Sequence, residues 1–99
     1  MLVRIIKRAT LRDYWQRNPD AAEPLKSWYR EVKAADWKTP HDAKALFGNA
    51  SVAGDNRIVF NIAGNKYRLV VKFNYPYRVA YIRFIGTHAE YDEIDVEEI

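Results

Sequence analysis

The chain has 99 residues, of which 48% are hydrophobic and none is cysteine, and its formal net charge is +3. A length of this order predicts one domain over residues 1–99, and this share of apolar side chains predicts a folded core. The lack of cysteine excludes a disulfide framework, thiolate catalysis and zinc sites of the cysteine type. No apolar run is long enough for a membrane span and no secretory signal is visible, so we expect a cytoplasmic protein without a membrane partner.

Charge is distributed unevenly along the chain. Six of the thirteen acidic residues lie in the last ten positions, which leaves sixteen basic and seven acidic residues before them, a net charge of +9. A basic body of this kind is expected when the partner is nucleic acid or another polyanion. The acidic end is consistent with a merely solvated segment, and also with a segment that shields the basic surface until a partner competes for it.

The N-terminal part of the sequence predicts a strand and then helices. Residues 1–7 are apolar and β-branched, which favours a strand. Thr10 and Asp13 resemble a capping box at the start of a first helix, and Asp20 and Glu23 resemble one at the start of a second helix.

A third short helix is predicted over residues 40–47, because Thr39 precedes a proline and Asp42 completes the capping pattern. Gly48 is expected to end this helix, and residues 48–56 are expected to form a loop. Helical spacing and size predict a common set of core-facing side chains. That set is Leu11, Tyr14, Trp15, Leu25, Trp28, Tyr29, Val32 and Trp37.

Two consecutive antiparallel hairpins are predicted over residues 57–83. A turn at Gly64-Asn65 gives a first register with one apolar and one polar face. The apolar pairs are Ile58–Val71, Phe60–Leu69 and Ile62–Tyr67, and the other face carries Arg57–Lys72, Val59–Val70 and Asn61–Arg68, with Lys66 at the turn. A second turn at Tyr75-Pro76 predicts Leu69–Ile82 and Tyr67–Phe84 on the apolar face, with Arg68–Arg83 and Val70–Tyr81 on the other.

The polar face of these hairpins is a candidate anion site. Like charges placed opposite each other in a sheet are destabilising, so two such pairs on one face favour a surface arranged for a polyanion. An ordinary solvated face is the alternative interpretation.

A last helix is predicted where the second hairpin ends. Thr87 and Glu90 form a capping-box pattern, and His88 and Tyr91 would share one side of the helix beside the basic face. This position favours a catalytic role for both, against the alternative of an exposed histidine and a packing tyrosine. The other histidine, His41, is expected to be an ordinary surface residue.

Several of these segments together resemble the HigB family of bacterial toxins, a branch of the RelE-like superfamily. The similarity lies in the run from Arg57 to Val70, in Tyr81-Ile-Arg and in Thr87-His-Ala-Glu-Tyr-Asp. Further matches are Pro19-Asp-Ala, Leu25, Trp28 and Ala35-Asp-Trp37, so the resemblance covers almost the whole chain.

The resemblance implies an α+β fold of the RelE-like type. In it a curved antiparallel sheet carries N-terminal helices on one face and a short C-terminal helix. It also implies the toxin of a type II toxin–antitoxin pair, with a HigA-like helix-turn-helix antitoxin as partner. The implied activity is ribosome-dependent endonucleolytic cleavage of mRNA in the A site. No carboxylate is obvious on the basic face, so we expect no bound divalent metal and no cofactor.

Site residues follow from the resemblance and from the chemistry of RNA cleavage, which needs an activated 2′-hydroxyl, a stabilised phosphorane and a proton for the leaving oxygen. The expected catalytic residues are Arg68, Lys66 and Arg83 for charge stabilisation, His88 as general acid or base, and Tyr91 for orientation or proton exchange. The expected RNA-binding residues are Arg57, Asn61, Lys72 and Tyr81. The alternative is a toxin that acts without chemistry, by binding RNA, the ribosome or DNA gyrase.

Overall fold

The computed structural model describes residues 3–99. Its strands are β1 (Arg4–Ile6), β2 (Ser51–Ala53), β3 (Arg57–Ile62), β4 (Tyr67–Asn74) and β5 (Val79–Thr87). Its α-helices are α1 (Arg8–Arg17), α2 (Ala22–Lys33), α3 (Pro40–Leu46) and α4 (His88–Asp92). The predicted first strand is confirmed as β1, although Met1 and Leu2 lie outside the described residues. No helix in residues 3–99 is both long and apolar enough to cross a membrane.

The five strands of this part of the chain form one sheet in the order β1-β5-β4-β3-β2. Neighbouring strands from β2 to β5 are antiparallel, whereas β1 runs parallel to β5. The predicted α+β fold is therefore confirmed, with a mixed sheet. The prediction of a loop over residues 48–56 is wrong, because β2 lies within it and pairs with β3.

Helices α1, α2 and α3 contribute to the apolar cluster on one face of the sheet. Trp28 of α2 meets Phe60 of β3 edge to face, with ring centroids 5.4 Å apart. Leu11 of α1 and Leu25 of α2 are fully buried in the same apolar cluster. The predicted core role of Trp28 and Trp37 is confirmed, while Trp15 and Tyr29 are half-buried at the edge of the cluster. We call the opposite sheet face, which carries Arg57, Asn61, Arg68 and Lys72, the outer face.

Two of the predicted helix starts are wrong. The first helix begins at Arg8, and Lys7 before it adopts φ 68°, so Thr10 and Asp13 lie inside the helix. A 3-10 turn, Pro19–Ala21, precedes α2, and Asp20 makes tertiary contacts instead of capping the helix. At neither position does the predicted capping box form.

Two other predicted starts are confirmed. At α3, the Thr39 N–H donates to Asp42 Oδ2 at 3.3 Å. At α4, Thr87 Oγ1 accepts from the Glu90 N–H at 3.2 Å, and the Thr87 N–H donates to Glu90 Oε1 at 2.8 Å. The third helix ends at Leu46, one residue earlier than predicted.

The two hairpins differ in how well the sequence predicted them. Every pair predicted for β3 and β4 is confirmed, from Arg57–Lys72 to Ile62–Tyr67. The register predicted for β4 and β5 is wrong: Arg68 faces Gly86, and Val70 faces Phe84. The connecting loop is longer than the predicted two-residue turn, since Asn74 pairs with Val79, and a bulge shifts the register between Val70 and Val71.

Candidate functional site

The end of the sheet at the turn between β3 and β4 carries four of the predicted site residues. The His88 N–H donates to the Lys66 carbonyl at 3.2 Å, which joins the start of α4 to the turn between β3 and β4. Arg68 lies one residue beyond Tyr67 on β4, and Tyr67 faces Thr87 across the sheet. Tyr91 follows on α4 and contacts the Phe84 ring at a centroid distance of 6.5 Å. We call Lys66, Arg68, His88 and Tyr91 the histidine end.

His88 has an acidic partner that the sequence reading did not recognise. Its Nδ1 lies 3.0 Å from Asp92 Oδ2, one helical turn further along α4. Both side chains are about half exposed, at 47% and 59%. A carboxylate in this position fixes the orientation of the imidazole and leaves Nε2 available for a substrate. The i, i+4 spacing within Thr87-His-Ala-Glu-Tyr-Asp was the available signal.

A second carboxylate holds the turn between β3 and β4. Asp20 Oδ1 accepts a hydrogen bond from the Tyr67 hydroxyl at 2.6 Å, and Asp20 Oδ2 forms an ion pair with Lys66. The hydrogen bond with Lys66 lowers the pKa of the Asp20 carboxyl, and the same bond raises the pKa of the Lys66 ammonium. Lys66 therefore keeps its positive charge at neutral pH, in a position set by Asp20.

The Arg68 guanidinium is hydrogen-bonded to Asn65, in the turn that precedes β4. Its Nη2 donates to Asn65 Oδ1 at 2.8 Å and its Nη1 donates to the Asn65 carbonyl at 3.1 Å. Only 9% of the residue is exposed. In this conformation the Arg68 side chain is bonded to the turn between β3 and β4.

The remaining predicted residues lie toward the other end of the outer face. Lys72, Tyr81 and Arg83 line one pocket of about 530 Å³ beside the loop between β4 and β5. Tyr81 is 40% exposed, and the Arg83 side chain makes no hydrogen bond or ion pair with the residues that the structure describes. Lys72 Nζ lies 2.9 Å from Asp55 Oδ2, and this hydrogen bond lowers the pKa of Asp55. We call Lys72, Tyr81 and Arg83 the tyrosine pocket.

Arg83 is accordingly not the neighbour of Arg68 that the predicted register made it. The bulge in the pairing of β4 and β5 places Gly86 opposite Arg68 and moves Arg83 to the tyrosine pocket. Asn61 does lie opposite Arg68, as predicted, and its Nδ2 donates to the Asn49 carbonyl at 3.2 Å.

Arg57 is almost fully enclosed, with 5% of the residue exposed. Its Nε and Nη2 donate to the Ile99 carbonyl oxygen at 2.8 and 2.5 Å, and its Nη1 donates to Asp55 Oδ2 at 3.2 Å. Val59 and Val70, which pair on the same face, are 5% and 0% exposed. The middle of the outer face is therefore covered, and its accessible cations lie at the two ends.

The expectation that no carboxylate lies near the basic residues is wrong. Asp92 accompanies His88, Asp20 accompanies Lys66, and Asp55 bridges Arg57 and Lys72. Asp20 comes from a distant segment, so sequence spacing gives no sign of it. Within residues 3–99, no three His, Asp or Glu side chains cluster in a way that could hold a metal ion.

Comparison with known proteins identifies the class to which this fold and site belong. Residues 21–94 match the model of a family described as the RelE-like toxic component of a toxin–antitoxin system. The matched segment covers most of the chain and contains the histidine end and the tyrosine pocket. The chain belongs to this family, the HigB toxins, and an antitoxin is therefore its partner in the system.

Curated relatives match over nearly the whole chain. The mRNA interferase HigB of Escherichia coli O6:H1 (strain CFT073) is 28% identical over 92 residues, which cover 91% of this chain and 89% of that protein. The mRNA interferase toxin HigB of Escherichia coli K12 is 29% identical over 90 residues, covering 89% of this chain and 86% of that protein. The mRNA interferase HigB of Shigella flexneri matches to the same extent.

Proposed function

We propose that this toxin is an mRNA interferase, an endoribonuclease that cuts mRNA on the translating ribosome and thereby inhibits translation. The names of its relatives support the activity, and the histidine end supplies groups suited to it. The observation that carries the proposal is the pairing of a half-exposed His88 with Asp92 beside the Lys66 turn.

In the proposed reaction, the phosphoryl group is transferred within the RNA strand, from the leaving 5′-oxygen to the 2′-oxygen. The 2′-oxygen attacks phosphorus while a base removes its proton, the bond from phosphorus to the 5′-oxygen breaks, and an acid protonates that oxygen. His88 is proposed as the acid or base, since it is held by Asp92 through Nδ1 and can exchange a proton through Nε2. Neither step requires a metal or another cofactor.

Charge stabilisation is proposed for Lys66 and Arg68. The phosphorane carries extra negative charge, and preorganised cations near it lower the barrier. Lys66 is held in place by Asp20 and is still about 60% exposed, so a phosphate can reach it. Arg68 contributes its charge from the turn. Tyr91, half-buried on α4, is proposed to orient the nucleotide at the scissile bond.

The tyrosine pocket is proposed to hold the RNA chain away from the reacting bond. Tyr81 offers an exposed ring on which an unpaired base can stack, and Lys72 and Arg83 offer cations for phosphates. Lys72 lies four residues from Arg68 along β4, roughly 13 Å at the usual rise of a strand. Arg83 thus moves from the proposed catalytic set to RNA binding. Asn61 and Arg57 stay proposed RNA contacts. Arg57 can contact RNA only when its hydrogen bonds to the Ile99 carbonyl oxygen are broken.

The setting of the toxin is proposed with the activity. A HigA-like helix-turn-helix antitoxin is the proposed partner, mRNA in the ribosomal A site is the proposed substrate, and the cytoplasm is the proposed compartment. The whole chain, residues 1–99, is proposed to be a single toxin domain, which the contiguous apolar cluster of the described residues supports.

The proposal is tested with purified protein on ribosomes paused over a defined mRNA. The wild type should produce cuts in the A-site codon, and His88→Ala should lower the cleavage rate by roughly 100-fold or more, as for loss of an acid–base group. His41→Ala, which changes the exposed histidine of α3, is the matched control and should cleave at the wild-type rate. Inhibition of translation without cuts by the wild type would instead indicate a toxin that acts by binding.

A further inference from the structure

The last seven residues of the sequence, which we call the tail (Glu93–Ile99), lie across the outer face of the sheet. The tail follows α4, whose first residue is bonded to the Lys66 carbonyl at one end of that face. Its last residue accepts two hydrogen bonds from Arg57, on the row of residues that includes Lys72 at the other end. Because its two ends are fixed at opposite ends of one sheet face, the tail must cross that face.

Contacts with the turn between β2 and β3 fix the path of the tail near Arg57. A Cβ atom at Gly54 would lie 3.0 Å from Glu97 Oε1 and 3.8 Å from Glu97 Cγ. The tail also alternates in character: Ile94, Val96 and Ile99 are half-buried, while its four acidic residues are exposed. The tail therefore lies with apolar side chains inward and carboxylates toward solvent.

This arrangement opposes the binding of a polyanion in two ways. A backbone oxygen of the tail occupies the Arg57 guanidinium. The acidic side chains of the tail also place negative charge above a surface whose accessible cations lie at either end. An RNA strand that runs from the histidine end to the tyrosine pocket would meet the tail on the way.

We propose that the tail is an autoinhibitory strap: an intramolecular occupant of the outer face that a single-stranded RNA must displace to bind along the sheet. The inference rests on the proposed function and adds to it a form of regulation. When the strap is displaced, Arg57 becomes available as a phosphate ligand opposite Lys72, at the tyrosine-pocket end of the face. The RNA affinity of the toxin is then reduced by the fraction of molecules in which the strap is closed.

A reversible crosslink tests whether the strap has to move. The chain has no cysteine, so the full-length double variant G54C/E97C can form only one disulfide. Glu97 Cγ, the position that the Sγ atom of a cysteine would take, lies 3.8 Å from the Gly54 Cβ position, so the two cysteines are close enough for oxidation to join them. Binding is measured with a 2′-O-methyl single-stranded oligonucleotide, which cannot be cleaved by attack of the 2′-oxygen.

The oxidised double variant should bind this oligonucleotide about tenfold or more weakly than the reduced one, because the strap is then held closed. The single variants G54C and E97C, kept as monomers, should respond to neither oxidant nor reductant. Equal binding by the oxidised and reduced forms would overturn the strap and leave the proposed function standing. Failure of the wild type to cut mRNA on the ribosome would overturn the proposed function, and failure of the reduced double variant to bind the oligonucleotide would overturn the strap.

A charge-matched pair of full-length variants gives an independent test if the disulfide does not form. D95N/E97Q/E98Q neutralises the strap, and D13N/E23Q/E31Q removes three exposed carboxylates from α1 and α2. Both change the net charge by the same amount. The strap variant should gain more RNA affinity at low salt than the helix variant, whereas equal gains would show only a general charge effect and overturn the proposal.

Discussion

At the scale of single residues, the clearest feature is that His88, Lys66 and Lys72 each have an aspartate partner. Asp92 positions His88, and Asp20 positions Lys66. The sequence identified His88 and Lys66, because the resemblance and the capping pattern pointed to them. It did not indicate that Asp20 contacts Lys66 and Tyr67, because those residues lie far from Asp20 in the sequence and meet it only in the folded protein.

The ion pair of Asp20 makes stability depend on pH in a defined direction. Its carboxyl has a pKa below the ordinary value of 3.8 in the folded protein, chiefly because of the hydrogen bond with Lys66. A carboxyl with a lowered pKa stabilises the fold above its unfolded-state pKa, and this stabilisation is lost as the pH falls through the folded-state pKa. Asp20→Asn should therefore be less stable than the wild type at pH 7, and the difference should shrink below about pH 4.

Urea denaturation of both proteins over this pH range measures that difference. Asp13→Asn is the matched control, because the Asp13 side chain on α1 makes no hydrogen bond or ion pair with any residue the structure describes. It should stay close to the wild type throughout. A difference for Asp20→Asn that is the same at pH 7 and pH 3 would contradict an electrostatic role.

At the scale of secondary-structure elements, local sequence patterns predicted the structure correctly where no tertiary contact opposed them. The capping box at Thr87 and the register of the hairpin from β3 to β4 were predicted correctly. The box at Thr10 was wrong, because the chain leaves β1 through Lys7 in a left-handed conformation and begins α1 early. The second hairpin register was wrong because neither its longer loop nor its bulge is encoded by alternation of apolar residues.

The two threonines offer a matched pair of helix-start variants. Thr87→Ala removes a side chain that accepts from the Glu90 N–H, and it should cost about 1 kcal/mol of unfolding free energy. It should also lower cleavage activity, since His88 is the first residue of α4. Thr10→Ala lies within α1, where alanine is a good helix former, so it should be neutral or slightly stabilising.

Denaturation midpoints and ribosome cleavage assays on both variants check this pair. If Thr10→Ala proved as costly as Thr87→Ala, the capping assignment at α4 would lose its support. Preserved activity in Thr87→Ala at unchanged stability would show that the start of α4 does not position His88.

At the scale of the whole molecule, the sequence indicated a basic body and an acidic end, and it left open whether the acidic end is merely solvated or shields the basic surface. The predicted basic face exists on β3 and β4 but does not extend to β5 in the predicted register, its centre is buried, and Asp55 neutralises part of its charge. At Arg57 the tail contributes to this burial, because the Ile99 carbonyl oxygen accepts hydrogen bonds from the guanidinium. Such a contact joins segments 42 residues apart, and no periodicity in either segment predicts it.

The central claim is that this toxin cuts mRNA through chemistry at His88. The most direct measurement is brief induction of the wild type, His88→Ala and His41→Ala in cells, followed by mapping of new 5′-ends on mRNA. We expect cuts inside translated frames for the wild type and His41→Ala, and their loss in a folded His88→Ala protein. Growth arrest by the wild type without new 5′-ends, or unchanged cuts in His88→Ala, would contradict the account.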